Sequence, residues 1–331
     1  DHGIKIDAVG GTSIGSIVSS LYAMGYSTEK MLEIFKYFAK GIMKADARYF
    51  AGNLKTTKRL LGNGLLSGEN IEIAIGKKTE FVIINASNDE GNARYIKGKI
   101  KEGEKAGLKV EVVKLEEHCN NEDVLNIINR CNEEKIPVIL QLPTFKHLDT
   151  KKLMESINYD VDADGFAREW IGEINLGNDK KLAPATPKGV ISLLEQYNVD
   201  IEGKIALVIG KSNHVGKPLC TMLMNRGATL INANSKTKDL SSLVKMADII
   251  ISCVGRQNLI KSEDIKEDAV VIGVGFTYVN GKQILDFDVD EIVALGKAKF
   301  VSNRINCTGK ATINSLIDNV IELYKMNFDI K

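Results

Sequence analysis

The segment 210–218 has the residue types and the position of a phosphate-binding turn. Its sequence, Gly-Lys-Ser-Asn-His-Val-Gly-Lys-Pro, follows an apolar segment and precedes a predicted helix. In such a turn, free backbone N–H groups and the start of the helix face an anion. The turn departs from the usual Gly-x-Gly-x-x-Gly pattern, because Ser212 replaces the second glycine and Gly216 lies one residue beyond the third.

The segment after the next predicted strand indicates which dinucleotide would bind. Residues 232–238 read Asn-Ala-Asn-Ser-Lys-Thr-Lys and contain no acid to hold a ribose 2′-hydroxyl group. A hydroxyl group with neighbouring lysines suits a 2′-phosphate instead. The sequence therefore predicts NADP as the cofactor, with NAD as the alternative.

Tyr95, Lys99 and Gln141 are also placed for contact with a ligand. Tyr95 and Lys99 are four positions apart in the predicted helix 93–107, so both side chains leave one face. Gln141 lies near the end of the apolar segment 137–142, and the carboxyl ends of parallel strands face the ligand cleft of α/β folds. An ordinary amphipathic surface helix also explains the first spacing, because lysine is common in that helix.

Three acids, Asp160, Asp162 and Asp164, alternate before Gly165. This spacing resembles the start of an EF-hand calcium loop. Such a loop needs a glutamate at its twelfth position, which here is Ile171. The sequence therefore predicts no metal site in this segment.

Ser13 stands in a Gly-x-Ser-x-Gly pattern, Gly-Thr-Ser-Ile-Gly, between a predicted strand at 4–9 and a predicted helix at 13–24. A nucleophile elbow has this arrangement, in which a strained turn exposes the serine hydroxyl group. A turn of small residues that packs a helix on a strand gives the same pattern.

Strand-like and helical segments alternate from residue 81 to the last predicted helix, 312–326. Apolar strands separated by helices of this length predict βαβ units around a parallel sheet, and hence an α/β fold. The pattern before residue 78 differs, with one short strand followed by several helices. We therefore predict a domain boundary at 77–78.

The composition excludes several classes of protein. The chain has 331 residues, of which 44% are hydrophobic, so it can form a substantial core. Lys and Arg total 44 against 43 for Asp and Glu, which argues against a nucleic-acid-binding protein. No apolar run is long enough to span a membrane. The five cysteines form no Cys-x-x-Cys pair, which favours reduced thiols and a cytoplasmic protein.

Residues 1–77 resemble the patatin-like phospholipase family. The resemblance is carried by Asp-Ala-Val-Gly-Gly-Thr-Ser-Ile-Gly-Ser-Ile-Val at 7–18 and Leu-Tyr-Ala-Met-Gly-Tyr-Ser at 21–27. It implies a partial α/β segment in which Ser13 would be the nucleophile of a Ser–Asp dyad. The oxyanion loop of that family lies upstream of the strand and its aspartate lies downstream, and neither is found here. We therefore expect Ser13 to be inert.

Residues 79–331 resemble the bifunctional methylenetetrahydrofolate dehydrogenase/methenyltetrahydrofolate cyclohydrolase family. Several motifs in the order of that family carry the resemblance: Tyr95–Lys99, Gln141–Pro143, Asp162–Phe166, Pro184–Gly189, Gly210–Pro218, Ser235–Thr237 and Ala247–Ser252. The resemblance implies a folate catalytic lobe (78–195 and 312–331) and a Rossmann NADP lobe (196–311). It also implies a folate substrate and a homodimer, and from the composition we expect no nucleic-acid or membrane partner.

The resemblance assigns roles to individual residues. Lys99 is the central catalytic residue, Tyr95 stacks on the folate, Gln141 holds Lys99, and Asp164 hydrogen-bonds the pterin ring. A lysine among apolar neighbours can have a lowered pKa and serve as an acid or base. The implied cofactor contacts are Gly210, Lys211, Ser212, Val215, Gly216, Ser235, Gly255 and Gly275.

The sequence departs from this family most clearly at 303–312, where a proline- and glycine-rich loop is expected and only Gly309 and Thr312 fit. In that family the loop borders the substrate and the cofactor, so we expect the altered residues to affect either the affinity for substrate or the dehydrogenase step. Two alternatives stand beside the folate enzyme. One is a patatin-like acyl hydrolase that acts through Ser13, and the other is an inactive fusion of two incomplete halves.

Overall fold

A computed structural model of the chain describes residues 79–279, 282–302 and 308–329. The patatin-like interpretation of residues 1–77, including Ser13, lies outside the described residues, as do residues 303–307 of the altered loop. None of the described helices combines the length and the apolar character that a bilayer crossing requires.

The first lobe is built on a parallel sheet. Its described strands are β1 (Glu80–Asn85), β2 (Lys109–Lys114) and β3 (Val138–Leu140), in the order β2-β1-β3. Residues 81–84 of the central strand are fully buried, as expected for a strand covered on both faces.

Helices cover both faces of this sheet. Alternate residues of β1 point to opposite faces, so Phe81 and Ile83 join one apolar cluster and Val82 and Ile84 another. On the first face lie α1 (Glu90–Lys105) and the last helix, α9 (Thr308–Asn327). On the second lie α2 (Asn121–Glu134) and α3 (Thr150–Glu155).

The second lobe contains a larger parallel sheet. Its described strands are β4 (Ile205–Ile209), β5 (Thr229–Ala233), β6 (Ile249–Ser252), β7 (Val270–Gly273) and β10 (Phe300–Val301). They lie side by side in the order β10-β7-β6-β4-β5. Helices α6 (Gly216–Met224), α7 (Leu240–Met246) and α8 (Val289–Leu295) connect or cover these strands. An antiparallel pair, β8 (Phe276–Val279) and β9 (Lys282–Leu285), follows β7.

Helices α4 (Arg168–Asn175) and α5 (Ala185–Gln196) connect the two sheets. Helix α5 packs along α9 at very close range. A Cβ atom added at Gly189 would lie 2.7 Å from the backbone of both Ala311 and Thr312, so only glycine permits this approach. The predicted α/β fold with parallel sheets is confirmed, whereas the last helix begins at Thr308 rather than at residue 312.

Candidate active site

Lys99 lies on the buried face of α1, one turn after Ile96 and two turns after Asn92. The helix begins at Glu90 because the Asp89 carboxylate accepts a hydrogen bond from the Asn92 N–H at 2.9 Å. Only 7% of Lys99 is exposed, and its Nζ donates to Oε1 of Gln141 at 2.8 Å. The structure therefore places the Lys99 amine against the side chain of Gln141.

Gln141 is held on several sides at the end of β3. Its backbone N–H donates to the Ile84 carbonyl oxygen at 2.9 Å, which keeps it in line with the sheet. Its Nε2 donates to Asn92 Oδ1 at 3.3 Å and to the Leu142 carbonyl oxygen at 3.0 Å. Asn92 in turn donates to the Pro143 carbonyl oxygen at 3.2 Å. The amide of Gln141 consequently has one orientation, with its oxygen toward Lys99.

Asp164 shares the electrostatic environment of Lys99. Burial lowers the pKa of Lys99, and the neighbouring Asp164 carboxylate partly opposes this shift. Burial raises the pKa of Asp164, and Lys99 and His214 partly oppose that shift. Desolvation is thus the dominant cause for both groups, and it moves each toward its neutral form. A lysine whose pKa is lowered by burial gives up its proton more readily than an exposed lysine does.

The turn that carries Asp164 is organised by Asp162. The Asp162 carboxylate accepts hydrogen bonds from the backbone N–H groups of Gly165 at 3.1 Å and Ala167 at 2.6 Å. Gly165 has φ +75°, and a Cβ atom there would lie 2.7 Å from the Ala183 carbonyl carbon. Burial, with Asp164 as a second cause, raises the pKa of Asp162 to about 7. The Asp162 carboxylate therefore holds the backbone of the turn through these two N–H groups.

Aromatic contacts bring the two lobes together beside these residues. The ring of Tyr95 stacks on Phe276 of the second lobe, with centroids 6.2 Å apart and planes 16° apart. Phe166 meets His214 edge to face at 4.4 Å. His214 belongs to the turn after β4, so this contact connects that turn to the segment of Asp164.

The turn after β4 requires its glycines. Gly210 has φ +122°, and a Cβ atom at Gly216 would lie 2.3 Å from the Gly210 carbonyl oxygen. Ser212 Oγ accepts hydrogen bonds from the N–H groups of Val215 and Gly216, both at 3.2 Å. No residue in the described part of the chain accepts a hydrogen bond from the N–H groups of residues 211–214. These groups, at the start of α6, fit a phosphate of a dinucleotide.

Lys211 and Ser235 follow neighbouring parallel strands. Ile209 at the end of β4 pairs with Ala233 at the end of β5, so both exposed residues lie at the same sheet edge. Gly255 and Gly275 lie beyond β6 and β7 at that edge. A Cβ atom at Gly275 would lie 2.3 Å from the Gly255 nitrogen, so these two turns touch through their backbones.

Sequence reasoning missed Asn92 and Phe276 as members of this site. Asn92 carried a usable signal, because it lies seven positions before Lys99 and hence on the same helix face. No sequence pattern indicates Phe276, because its contact with Tyr95 depends on how the two lobes pack.

A parallel sheet whose strand leads through a glycine turn into a helix defines a dinucleotide-binding lobe of the Rossmann type. Comparison with known proteins identifies the family. Residues 65–164 match the family description "Tetrahydrofolate dehydrogenase/cyclohydrolase, catalytic domain", and residues 184–328 match its NAD(P)-binding domain. The first match begins upstream of the predicted boundary at 77–78.

Relatives agree with this match. "Bifunctional protein FolD" of Clostridium novyi is 35% identical over 282 residues, which cover 85% of this chain and 98% of that protein. The crystal structure of the bifunctional enzyme FolD from Campylobacter jejuni has a TM-score of 0.76 at 32% identity, covering 85% of this chain and 98% of that one. The Trypanosoma brucei enzyme, complexed with NADP and an inhibitor, has a TM-score of 0.75 at 25% identity, covering 86% and 97%. The chain belongs to the tetrahydrofolate dehydrogenase/cyclohydrolase family.

Proposed function

We propose that this protein catalyses two consecutive reactions of one-carbon metabolism. It oxidises 5,10-methylenetetrahydrofolate to 5,10-methenyltetrahydrofolate with NADP, and it hydrolyses that product to 10-formyltetrahydrofolate. The observation that carries the proposal is the buried Lys99, hydrogen-bonded to Gln141 and influenced by Asp164, on the side of its lobe that contacts the dinucleotide lobe. Family membership supplies the substrate class.

Asp164 and Tyr95 would bind the folate, and Gln141 would direct Lys99 toward it. Asp164 hydrogen-bonds the pterin ring, and Tyr95 stacks on the folate beside Phe276. Gln141 keeps the Lys99 amine directed at the reacting carbon, because the amide of Gln141 is itself fixed by Asn92. NADP, when bound, supplies the hydride acceptor, so the role of these side chains in the first reaction is orientation.

Lys99 has a direct role in the second reaction. Its lowered pKa allows a neutral amine, which takes a proton from water as the water oxygen bonds to the methenyl carbon. The resulting ammonium group returns that proton to N5 as the carbon–N5 bond breaks. The hydroxyl proton leaves to solvent, which gives the N10-formyl product and one released proton.

The preference for NADP as the cofactor is supported by three residues, Lys211, Ser235 and Lys236. All three are exposed at the paired ends of β4 and β5, where a 2′-phosphate would lie, and no acid stands between residues 232 and 238. The similar Trypanosoma brucei structure contains NADP.

The test compares two lysines of helix α1. We expect Lys99→Arg to lower the rate of methenyltetrahydrofolate hydrolysis by about 100-fold or more, because a guanidinium group cannot act as a base. Lys97→Arg, an exposed control, should retain the wild-type rate. Dehydrogenase activity is measured as reduced cofactor formed from methylenetetrahydrofolate with NADP and then NAD. Full turnover in Lys99→Arg would contradict the assignment of Lys99.

We further propose that the protein is a homodimer in the cytoplasm. The free thiols of Cys119, Cys131, Cys220 and Cys253 support a reducing compartment. Analytical ultracentrifugation measures the oligomeric state.

We also propose that residues 1–77 have a patatin-like origin and that Ser13 is inert. Labelling of Ser13 by a fluorophosphonate would show a reactive serine and contradict this expectation.

A further inference from the structure

Asn319 of helix α9 is fully buried and connects three separate segments. Its Nδ2 donates to the Ala163 carbonyl oxygen at 3.0 Å and to the Ala183 carbonyl oxygen at 2.8 Å. Its Oδ1 accepts a hydrogen bond from Lys188 Nζ at 2.9 Å. Every one of these partners lies outside α9, so the amide serves the surrounding segments and not its own helix.

The chemistry of the partners fixes the orientation of this amide. Lys188 carries an ammonium group that can only donate, and the two carbonyl oxygens can only accept. The Asn319 oxygen must therefore face Lys188, and its NH2 group must face Ala163 and Ala183. Lys188 is itself held, because Nζ also donates to the Lys181 carbonyl oxygen at 3.0 Å and lies 3.7 Å from Asp318.

The hydrogen bond to Ala163 acts directly on Asp164. The Ala163 carbonyl belongs to the peptide group that leads into Asp164, so fixing this oxygen fixes the plane from which the Asp164 side chain departs. On the other side, the Asp164 carbonyl oxygen accepts a hydrogen bond from the Ala185 N–H at 3.1 Å. The amide of Asn319 therefore holds two segments that contact each other at Asp164, one through the carbonyl of Ala163 and the other through the carbonyl of Ala183.

We propose that Asn319 is a positioning residue for folate binding, which sets the location of Asp164 through the carbonyl groups of Ala163 and Ala183. The inference rests on the proposed function, in which Asp164 binds the pterin ring. Loss of Asn319 would displace Asp164 in both reactions, whereas none of the hydrogen bonds that the Asn319 amide makes in the described part of the chain goes to the turn after β4. The effect is therefore on the folate and not on NADP.

The test is Asn319→Leu, which keeps the approximate shape and removes every hydrogen bond. We expect the KM for methylenetetrahydrofolate to rise about tenfold or more, because small displacements of positioned groups have large effects. The Kd of NADP, measured by calorimetry without folate, should stay within twofold of wild type. An unchanged KM for folate, or an equal loss of NADP binding, would overturn the proposal.

Tyr324→Phe is the matched control. Tyr324 lies on the same helix, is also buried, and hydrogen-bonds the backbone N–H and carbonyl oxygen of Glu80, both at 2.8 Å. We expect both variants to lower Tm and only Asn319→Leu to raise the folate KM. If Tyr324→Phe raises KM equally, Asn319 has only a structural role.

Lys188→Met tests the positioning role of Asn319 if Asn319→Leu does not fold. It removes the donor that orients the amide but retains Asn319, so a smaller rise in folate KM, about threefold, is expected, and no rise would contradict the proposal. Wild-type protein is assayed in parallel. An inactive wild type refutes the proposed function, whereas an active wild type with unaffected variants refutes only the role of Asn319.

Discussion

Lys99 donates a hydrogen bond to an amide oxygen of Gln141 that is already fixed in place. The Gln141 Nε2 atom is engaged by Asn92 Oδ1 and by the Leu142 carbonyl oxygen, and the remaining oxygen lies 2.8 Å from Lys99 Nζ. A neutral amide orients the lysine without adding charge. The pKa of Lys99 therefore stays lowered by burial, which a carboxylate at the same position would reverse.

Gln141→Glu tests this relationship. A carboxylate in hydrogen-bonding contact with Lys99 would stabilise its ammonium form and raise its pKa. We expect hydrolysis of methenyltetrahydrofolate at pH 7 to fall by about tenfold or more, with a pH profile displaced to higher pH. Gln196→Glu, which adds the same charge at the end of α5, should leave the profile in place. A Gln141→Glu profile that coincides with wild type would contradict the assigned role of Gln141.

Asp162 predicts a pH dependence of stability. Its pKa is raised to about 7 in the folded protein, above the ordinary carboxyl value that holds in the unfolded chain. Between these values the folded state binds the additional proton, so the contribution of Asp162 to the free energy of unfolding decreases as pH rises and levels off above about 7.

The measurement is urea unfolding of wild type and Asp162→Asn at pH 5.5 and 7.5. Between these two pH values we expect wild type to lose on the order of 2 kcal/mol relative to the variant, whose side chain does not titrate. The difference between pH values is informative even though the substitution also disturbs the hydrogen bonds to Gly165 and Ala167. Parallel behaviour of the two proteins would show that Asp162 does not titrate in this range.

Ser235→Asp tests the choice of cofactor. A carboxylate at the end of β5 would repel a 2′-phosphate and could accept hydrogen bonds from ribose hydroxyl groups. We expect kcat/KM for NADP to fall by about tenfold or more, a loss of roughly 1.4 kcal/mol in transition-state stabilisation. The rate with NAD in the same preparation is the internal control and should be unchanged or higher. Equal losses with both cofactors would contradict a 2′-phosphate site at Ser235.

The contact between α5 and α9 gives a fourth prediction. A methyl group at Gly189 would press on the backbone of Ala311 and Thr312, so Gly189→Ala should lower the free energy of unfolding by about 1–3 kcal/mol. Gly172→Ala is the matched control, because a Cβ atom there meets no neighbour within 4 Å in the described part of the chain. It should stabilise α4 slightly, since alanine favours helix. Chemical denaturation measures both, and a stable Gly189→Ala protein would contradict the close approach.

Much of this fold could be predicted from the alternation of apolar strands and helices. Strand β1 and helix α7 follow from local patterns, because buried parallel strands are continuously apolar and helices repeat every three to four residues. Local patterns failed at helix ends. The sequence predicts helix α1 from residue 93, but the helix begins at Glu90, because the Asp89 carboxylate caps it within a polar segment that has the composition of a loop.

The residues of the candidate site could likewise be predicted only in part. Lys99 and Gln141 could be named because their motifs resemble those of a known family. Asn319 and Phe276 could not, because each contacts a segment far away in sequence and acts only once the fold brings the segments together. The roles of these residues stay predictions, and the variants above test them.

Helix α9 has a consequence for the order in which the enzyme becomes competent during its synthesis. Asn319 contacts a turn 156 positions earlier, and it leaves the ribosome after nearly all of the described chain. Contacts of such separation form late, because a long segment must first be closed into a loop. The sheet of the second lobe can therefore assemble before α9 is made, whereas the first lobe still lacks the helix that covers one face of its sheet and contacts the segment of Asp164. We expect the nascent protein to bind its dinucleotide before it can bind folate.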